Sequence, residues 1–242
     1  MCTVTFIPLQ HSVCFASNRD EHRRRPSALL PDIYKKNGKS VLYPRDPHGG
    51  GTWIAAHESG NAVVLLNGAL KPHKSLALYR RSRGLIVLEL LYDKSPVQGF
   101  LQSDLENIEP FTMIFFEKSK LFAGRWDGGN KNLQGLDETK PHIWSSATLY
   151  DSDTIQKRNI LFSQWLAGHK NPNLDDIIYF HRHAGNAGLQ NNICRSAENE
   201  IFTKSISGLQ ITGEETRFKY LDLVTGSSSL TDLPRREMIS AT

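Results

Sequence analysis

Two short runs of strand-forming residues open the chain and constrain its fold more than any later feature. Residues 2–8 are rich in β-branched and aromatic side chains and end at a proline, and residues 12–17 form a second such run. Because only a brief turn separates them, the pattern predicts two antiparallel strands. The end of the second strand then lies beside the start of the first, which brings residues 18–21, on the segment leaving the second strand, close to the N-terminus.

Cys2 follows the initiator methionine directly and therefore has a chemical option that a cysteine inside a chain lacks. Removal of Met1, which is common when the next residue is small, exposes the α-amine of Cys2. An α-amine has an ordinary pKa of about 7.7–8.0, so part of it is neutral near pH 7 and can accept the thiol proton. Nucleophile and base then occupy one residue. The alternative is an ordinary cysteine, and a retained Met1 blocks the amine.

A polar cluster, residues 18–21, is what the two strands carry toward Cys2. A carboxylate from Asp20 is suited to hold the amine of Cys2 in position and to set the charge around it. The alternative is a solvated group of surface charges. The position of the cluster relative to Cys2 favours the functional interpretation.

Asn67 ends an almost wholly apolar run, residues 62–68, which predicts a strand buried on both faces. A side-chain amide at such a strand end can donate a hydrogen bond to a developing oxyanion. Asn-Gly is also a common turn pair, and taken alone the residue favours that simpler role.

Composition narrows the class of protein. The chain has 242 residues, 39% of them hydrophobic, which suffices for one large or two small domains with a core. Much of the net charge of +4 comes from residues 22–25 and 80–83. We expect them in solvated loops, and the alternative is contact with phosphate, carboxylate or an acidic partner. No nucleic-acid-binding signature accompanies them, so we expect no nucleic-acid partner.

Cysteines and hydropathy indicate a reducing compartment. The chain has three widely spaced cysteines, which argues against a disulfide framework, and we expect Cys14 and Cys194 to pack as small hydrophobes. We see no basic-then-apolar leader, and the apolar runs are far shorter than the ~20 residues of a membrane span. We therefore expect a cytoplasmic protein without stable membrane insertion.

A His-x-His pair, His181 and His183, is the one pattern suggestive of a metal ligand. No carboxylate or cysteine stands at a convincing spacing, so we expect no metal and two exposed histidines at a helix end.

Strand and helix patterns occur in separate runs, which is typical of an α+β layered architecture. The polar tail, residues 226–242, is expected to be loosely held, and residues 25–51 are expected to be irregular. Helical patterns cover residues 84–92 (after a Ser82 cap), 101–108, 152–168 and a stretch from 173 onward. Later strand patterns cover residues 52–57, 110–116, 120–126, 133–135, 142–145, 201–204, 207–211 and 217–223.

The order of these motifs resembles the NRDE family, the family of transport and Golgi organisation protein two, over roughly residues 1–223. A single domain over residues 1–225 is therefore expected. Through Cys2, the Asn-x-Asp of residues 18–20 and Asn67, the chain is also similar to cysteine-type N-terminal nucleophile hydrolases. Those include penicillin V acylase, bile-salt hydrolase, acid ceramidase and isopenicillin-N acyltransferase. The motifs that carry the family resemblance are residues 1–2, 17–21, 51–54, 60–67 and 82–84.

The resemblance implies a four-layer αββα sandwich, in which helices flank two stacked, mostly antiparallel sheets. It implies carbon–nitrogen bond hydrolysis or acyl transfer through a thioester on Cys2. We expect a small, partly hydrophobic substrate and no cofactor. Cys2, Asp20 and Asn67 would be catalytic. The binding or supporting residues would be Asn18, Arg19, Glu21, Ser146 and Lys204.

Three positions depart from the wider pattern. Ser17 stands where bile-salt and penicillin V acylases have an arginine. Ser146 stands for an asparagine, and Lys204 replaces an arginine, keeping the charge but losing the planar fork. The departures motivate a second hypothesis, a non-catalytic intracellular protein that binds haem or an acyl lipid in the same fold. Family members have been connected with haem movement and lipid handling, although no Cys-x-x-Cys-His attachment site is present.

Overall fold

The computed structural model describes residues 3–73, 75–76, 78–93, 95–185 and 193–236, in which thirteen strands and four helices form. The strands are β1 (Thr3–Pro8), β2 (Ser12–His22), β3 (Leu29–Lys36), β4 (Lys39–Arg45), β5 (Ile54–His57), β6 (Ala62–Asn67), β7 (Phe111–Glu117), β8 (Lys120–Trp126), β9 (Lys131–Leu136), β10 (His142–Ser145), β11 (Ile201–Thr212), β12 (Glu215–Asp222) and β13 (Ser228–Pro234). The helices are α1 (Arg83–Tyr92), α2 (Pro96–Gln102), α3 (Ser152–Gly168) and α4 (Leu174–His183).

The strands form two antiparallel sheets. Sheet A has six strands in the order β10-β1-β2-β11-β12-β13, so the N-terminal hairpin lies near its middle. Sheet B has seven strands in chain order from β3 to β9, a meander in which each strand pairs with the next. The sheet with the N-terminal hairpin thus collects strands from both ends of the chain.

The alternation of side chains along β1 shows how the layers stack. Val4 and Phe6 are fully buried in the core between the sheets, and Phe6 lies 6.1 Å from Phe116 of sheet B between ring centroids. Thr3 and Thr5 point the other way, toward α3 and α4. Because α1 and α2 pack against sheet B in the same way, the order of layers is αββα, as predicted.

Several predicted elements are confirmed. Thr3 pairs with Asn18 in the N-terminal hairpin, and Ser82 caps α1 by accepting a hydrogen bond from the amide of Gly84. The β7–β8 hairpin turns at Lys118 and Ser119, both at positive φ. Cys14 is fully buried in the layer between sheet A and its helices, where burial raises the pKa of its thiol to about 12.

Other predictions were wrong, chiefly where prolines suggested loops. Residues 25–51 contain β3 and β4 rather than irregular chain. Pro31 is tolerated because β3 is the edge strand of sheet B, where a missing N–H donor costs little. Residues 18–21 do not leave β2 but continue it, because β11 pairs with them on the other side.

The remaining corrections concern element bounds. The helix expected over residues 101–108 forms earlier, as α2, with a Ser95 cap and a proline in its first turn. Residues 201–212 form one strand, β11, with an irregularity between Thr203 and Ser205. The tail is not loosely held over β13, which pairs with β12 at the edge of sheet A.

Glycines bring α1 against the start of β5. A Cβ atom on Gly51 would lie 2.2 Å from the carbonyl carbon of Gly84, so only glycine permits this approach. The amide of Thr52 donates to the carbonyl of Gly84 at 3.1 Å. This contact holds the N-terminus of α1 beside the cavity described below. No helix among the described residues combines the length and apolar character needed to cross a membrane.

Candidate active site

The start of β1 lies beside the polar cluster of β2, as expected. Cys2 itself lies outside the described residues. Thr3, to which it is bonded, pairs with Asn18, and the strand pair ends in the direction of Arg19 and Asp20. The hairpin therefore brings the start of β1 and the Asn-x-Asp motif to the same end of sheet A.

Asp20 is a buried carboxylate held on both oxygens. Its Oδ2 accepts a hydrogen bond from the hydroxyl of Tyr150 at 2.9 Å, and its Oδ1 accepts one from Thr203 at 2.5 Å. The side chain is 3% exposed. Two donors fix the carboxylate firmly, which suits a residue that orients another group.

Both polar side-chain atoms of Asn18 contact other residues of the protein. Its Nδ2 donates to the carbonyls of His181 and Ile193 at 3.2 and 3.0 Å. Its Oδ1 lies 2.5 Å from Nδ1 of His181. Asn18 therefore ties α4 and the chain at residue 193 to sheet A.

His181 is fully buried, so the expectation of two exposed helix-end histidines is wrong for this residue and right for His183. Burial, and then the nearby Arg158 cation, lowers the pKa of His181 to about 3. Its Nε2 lies 2.8 Å from the hydroxyl of Thr5. The spacing of Leu174, Ile178 and His181 on one face of α4 was the available signal.

Arg158 and Tyr150 are further residues that the sequence did not reveal. Arg158 of α3 is fully buried and donates from Nη1 to the hydroxyl of Thr3 at 2.6 Å. Its Cζ lies 3.7 Å from the ring centroid of Tyr150, the residue that donates to Asp20. The two residues link α3 to the start of β1 and to the carboxylate of Asp20.

Asn67 lines three cavities. The main cavity has a volume of about 430 Å³, and Arg19 and Glu21 line it. A second, of about 280 Å³, is lined by Asp20 and also by Glu21. A third, of about 200 Å³, has an apolar wall. That wall includes Leu66, Leu70, Ile143 and Trp144.

The side-chain amide of Asn67 is open for other contacts, because none of the hydrogen bonds among the described residues uses it. Its backbone carbonyl accepts a hydrogen bond from the hydroxyl of Ser146 at 2.8 Å. That hydroxyl also lies 2.9 Å from the hydroxyl of Thr148. Ser146 thus braces the strand end that carries Asn67 and lines none of the three cavities.

Lys204 also supports the site from behind. Its Nζ donates to the carbonyl of Arg23 at 3.0 Å and to the carbonyl of Arg25. Burial, and then the charge of Arg19, lowers the pKa of Lys204. The lysine therefore fixes the turn after β2, and it does not line the three cavities either.

A sequence profile identifies the family. The profile of the Transport and Golgi organisation 2 family matches residues 1–200. The chain belongs to this family. The match covers most of the chain and includes every predicted site residue except Lys204. A search of curated proteins finds no significant relative for this family member.

Solved structures of amide hydrolases share the fold of this family member. A Caenorhabditis elegans N-acylethanolamine-hydrolyzing acid amidase ortholog is 13% identical with a TM-score of 0.60, over 86% of this chain and 92% of that one. A variant of conjugated bile acid hydrolase from Clostridium perfringens is 11% identical with a TM-score of 0.56, over 100% and 99% of the chains. Identities this low show the fold alone, which is that of the N-terminal nucleophile hydrolases.

Proposed function

We propose that this protein is an N-terminal-cysteine hydrolase or acyltransferase acting on an amide or acyl bond of a small, partly hydrophobic substrate. The observation that carries the proposal is that Asp20 and Asn67 border one cavity at the end of sheet A where β1 begins. Strands far apart in sequence supply the two residues, one from each sheet.

The proposed reaction begins with transfer of the Cys2 thiol proton to its own α-amine. The thiolate attacks the acyl carbon, and the side-chain amide of Asn67 donates to the oxyanion that develops. The carbon–nitrogen bond then breaks, and the α-amine returns the proton to the leaving amine. Water, or an acceptor in acyl transfer, cleaves the thioester.

Asp20 acts in this scheme by orienting the amine of Cys2. Tyr150 and Thr203 already fix the carboxylate of Asp20, so it loses little conformational freedom when it accepts a further hydrogen bond. The carboxylate is therefore in position before it binds the amine of Cys2. The proposal requires Cys2 to lie on the Val4 side of β1, since that side faces the space between the sheets.

The cavities fit a substrate with two unlike ends. The apolar wall of the third cavity suits an acyl chain, and seven of the residues that line the main cavity are charged. Because both border Asn67, an acyl carbonyl between the two ends would lie near the proposed oxyanion donor.

A panel of acyl amides of varied chain length tests the proposal on protein purified without Met1. We expect turnover that disappears in Cys2→Ala and persists in Cys14→Ala, whose thiol packs in the core. Turnover retained in Cys2→Ala would exclude the mechanism.

One observation favours the second candidate, a non-catalytic carrier of haem or an acyl lipid. Two of the residues that replace polar groups of the acylases, Ser146 and Lys204, bind backbone carbonyls and do not line the cavities. A carrier would bind haem with a shift of its Soret absorption in Cys2→Ala as well as in the unaltered protein. A titration without a Soret shift counts against the haem form of this candidate.

A further inference from the structure

Arg19 is a buried cation with incomplete hydrogen bonding. It lines the main cavity, is 3% exposed, and neither terminal nitrogen has a hydrogen-bond partner among the described residues. Oxygens of Glu21 and Asp46 lie 4.0 and 3.9 Å from its Nη2, too far for hydrogen bonds. Buried polar groups are nearly always hydrogen-bonded, so we expect the terminal N–H groups of Arg19 to bind an acceptor.

The two neighbouring carboxylates are engaged elsewhere. Asp46 accepts hydrogen bonds from Arg25 and from the amide of His48. Burial alone raises the pKa of Asp46, but the hydrogen bond and charge of Arg25 outweigh it and lower the pKa. Glu21 accepts from the amide of His22 at 3.0 Å. Oε2 of Glu21 also lies 3.7 Å from Nε of Arg25, so both carboxylates are shared with other donors and neither makes a hydrogen bond to Arg19.

Trp53 adds a second donor of the same kind. Its ring lies 5.0 Å from Cζ of Arg19, it lines the same cavity, and its buried Nε1 has no acceptor among the described residues. Guanidinium and indole N–H groups can only donate hydrogen bonds, so a ligand that binds both Arg19 and Trp53 must offer acceptors. The two terminal nitrogens of a guanidinium match the two oxygens of a carboxylate.

The charge around the cavity is balanced. Four arginines line it against three carboxylates, and Glu89, outside the lining, pairs with the fourth arginine, Arg81. The case for an anion therefore rests on the donors of Arg19 and Trp53 that have no acceptor among the described residues. The terminal nitrogens of Arg19 are covered, so an anion reaches them only when a neighbouring side chain moves. Glu21, whose side chain is 29% exposed, is placed to do so. The arginines are Arg19, Arg25, Arg81 and Arg83, and the carboxylates are Glu21, Asp46 and Glu109.

We propose that Arg19 and Trp53 form a carboxylate-binding subsite, and that the substrate carries a carboxylate on the side away from its apolar acyl chain. The inference rests on the proposed function for the position of the acyl carbonyl near Asn67. It extends that function by naming the charged end of the substrate.

Binding to the full-length Cys2→Ala protein tests the subsite without turnover. The probes are N-octanoylglycine and its uncharged counterpart N-octanoylglycinamide, compared by calorimetry. Because a hydrogen bond to a charged group is stronger than a neutral one, we expect about tenfold or tighter binding of the carboxylate probe. Arg19→Gln should abolish this difference. Arg217→Gln, at a 43% exposed arginine on β12, should leave it unchanged.

A second variant covers the case in which Arg19→Gln does not fold. Trp53→Phe keeps an aromatic ring beside Arg19 and removes only the Nε1 donor, so we expect about threefold weaker binding of the carboxylate probe alone. Equal affinities for the two probes, or no binding of either, would overturn the inference. The proposed function is judged separately, by turnover that depends on Cys2.

Discussion

At the scale of single residues, alternation along β2 gives neighbouring side chains different roles. Asn18 and Asp20 contact residues of the helical layer or of the segment leading into it, whereas Arg19 and Glu21 line the main cavity. The first pair fixes the framework around the start of β1. The second pair faces the main cavity. One short motif therefore makes contacts on both sides of sheet A.

Replacement of Asn67 tests its assignment as oxyanion donor. In Asn67→Ala we expect kcat to fall by about 10²–10³, the usual cost of losing one such donor, with little change in folding. The measurement is steady-state kinetics on an amide found in the substrate panel. Asn132→Ala, an exposed change on β9, is the control. An unchanged kcat in Asn67→Ala would remove the residue from the site.

Local patterns predicted part of the candidate site, and long-range contacts explain the rest. Asn67 ends a strand that the sequence indicates, and Asp20 follows another predicted strand, which the structure extends to His22. The predicted hairpin and layers are therefore consistent with their position at one cavity. Tyr150 donates to Asp20 although the two residues are 130 positions apart, and no local sequence pattern predicts that contact. Trp53 was predicted within a strand, but no local pattern shows that its ring lies beside Arg19 of sheet A, or that its Nε1 has no acceptor among the described residues.

At the scale of elements, docking of α4 onto sheet A depends on a neutral histidine. His181 lies between Thr5 and Asn18, and the last turn of α4 rests on this contact. A positive charge there would meet the buried Arg158, which already contributes to the low pKa of His181. The same contact ties the helical layer to the strand that begins at Thr3.

Acid should therefore weaken the fold through His181. The pKa of this histidine is about 3 in the folded protein against an ordinary 6.5, so below pH 6.5 the unfolded chain binds more protons. The free energy of unfolding should fall as pH drops from 6.5 toward 3, by up to about 1.4 kcal/mol per pH unit from this group.

Urea unfolding across this pH range, with His181→Gln beside His183→Gln, is the measurement. The exposed His183 is the matched control on the same helix, and its replacement should leave the pH slope unchanged. His181→Gln should flatten the slope. An equally steep slope in His181→Gln would contradict a buried neutral histidine.

At the scale of the whole molecule, the last strand ties the two sheets together. β13 pairs with β12 in sheet A, and just beyond it Arg235 donates to the carbonyl of Ser59, in the turn that joins β5 and β6. The amide of Arg236 donates to the carbonyl of Glu58 in the same turn. Polar composition suggested a loose tail, but alternation along β13 buries Leu233 in the core.

Two leucines of β13 provide a matched test. Leu233 is 3% exposed and Leu230 is 59% exposed. We expect Leu233→Ala to lower the free energy of unfolding by about 2–5 kcal/mol, because it leaves a cavity in the core. Leu230→Ala should change it by less than about 0.5 kcal/mol. Similar small effects of both changes would mean that this strand contributes little to the fold.

Intact-mass and peptide analysis after brief alkylation at neutral pH tests the proposal that Cys2 has an activated N-terminal thiol. Burial raises the pKa of Cys14 to about 12 and also raises that of Cys194, so both should react slowly. We expect loss of Met1 and faster labelling of Cys2 than of the other two cysteines. A retained Met1, or a Cys2 no more reactive than Cys14 and Cys194, would contradict it.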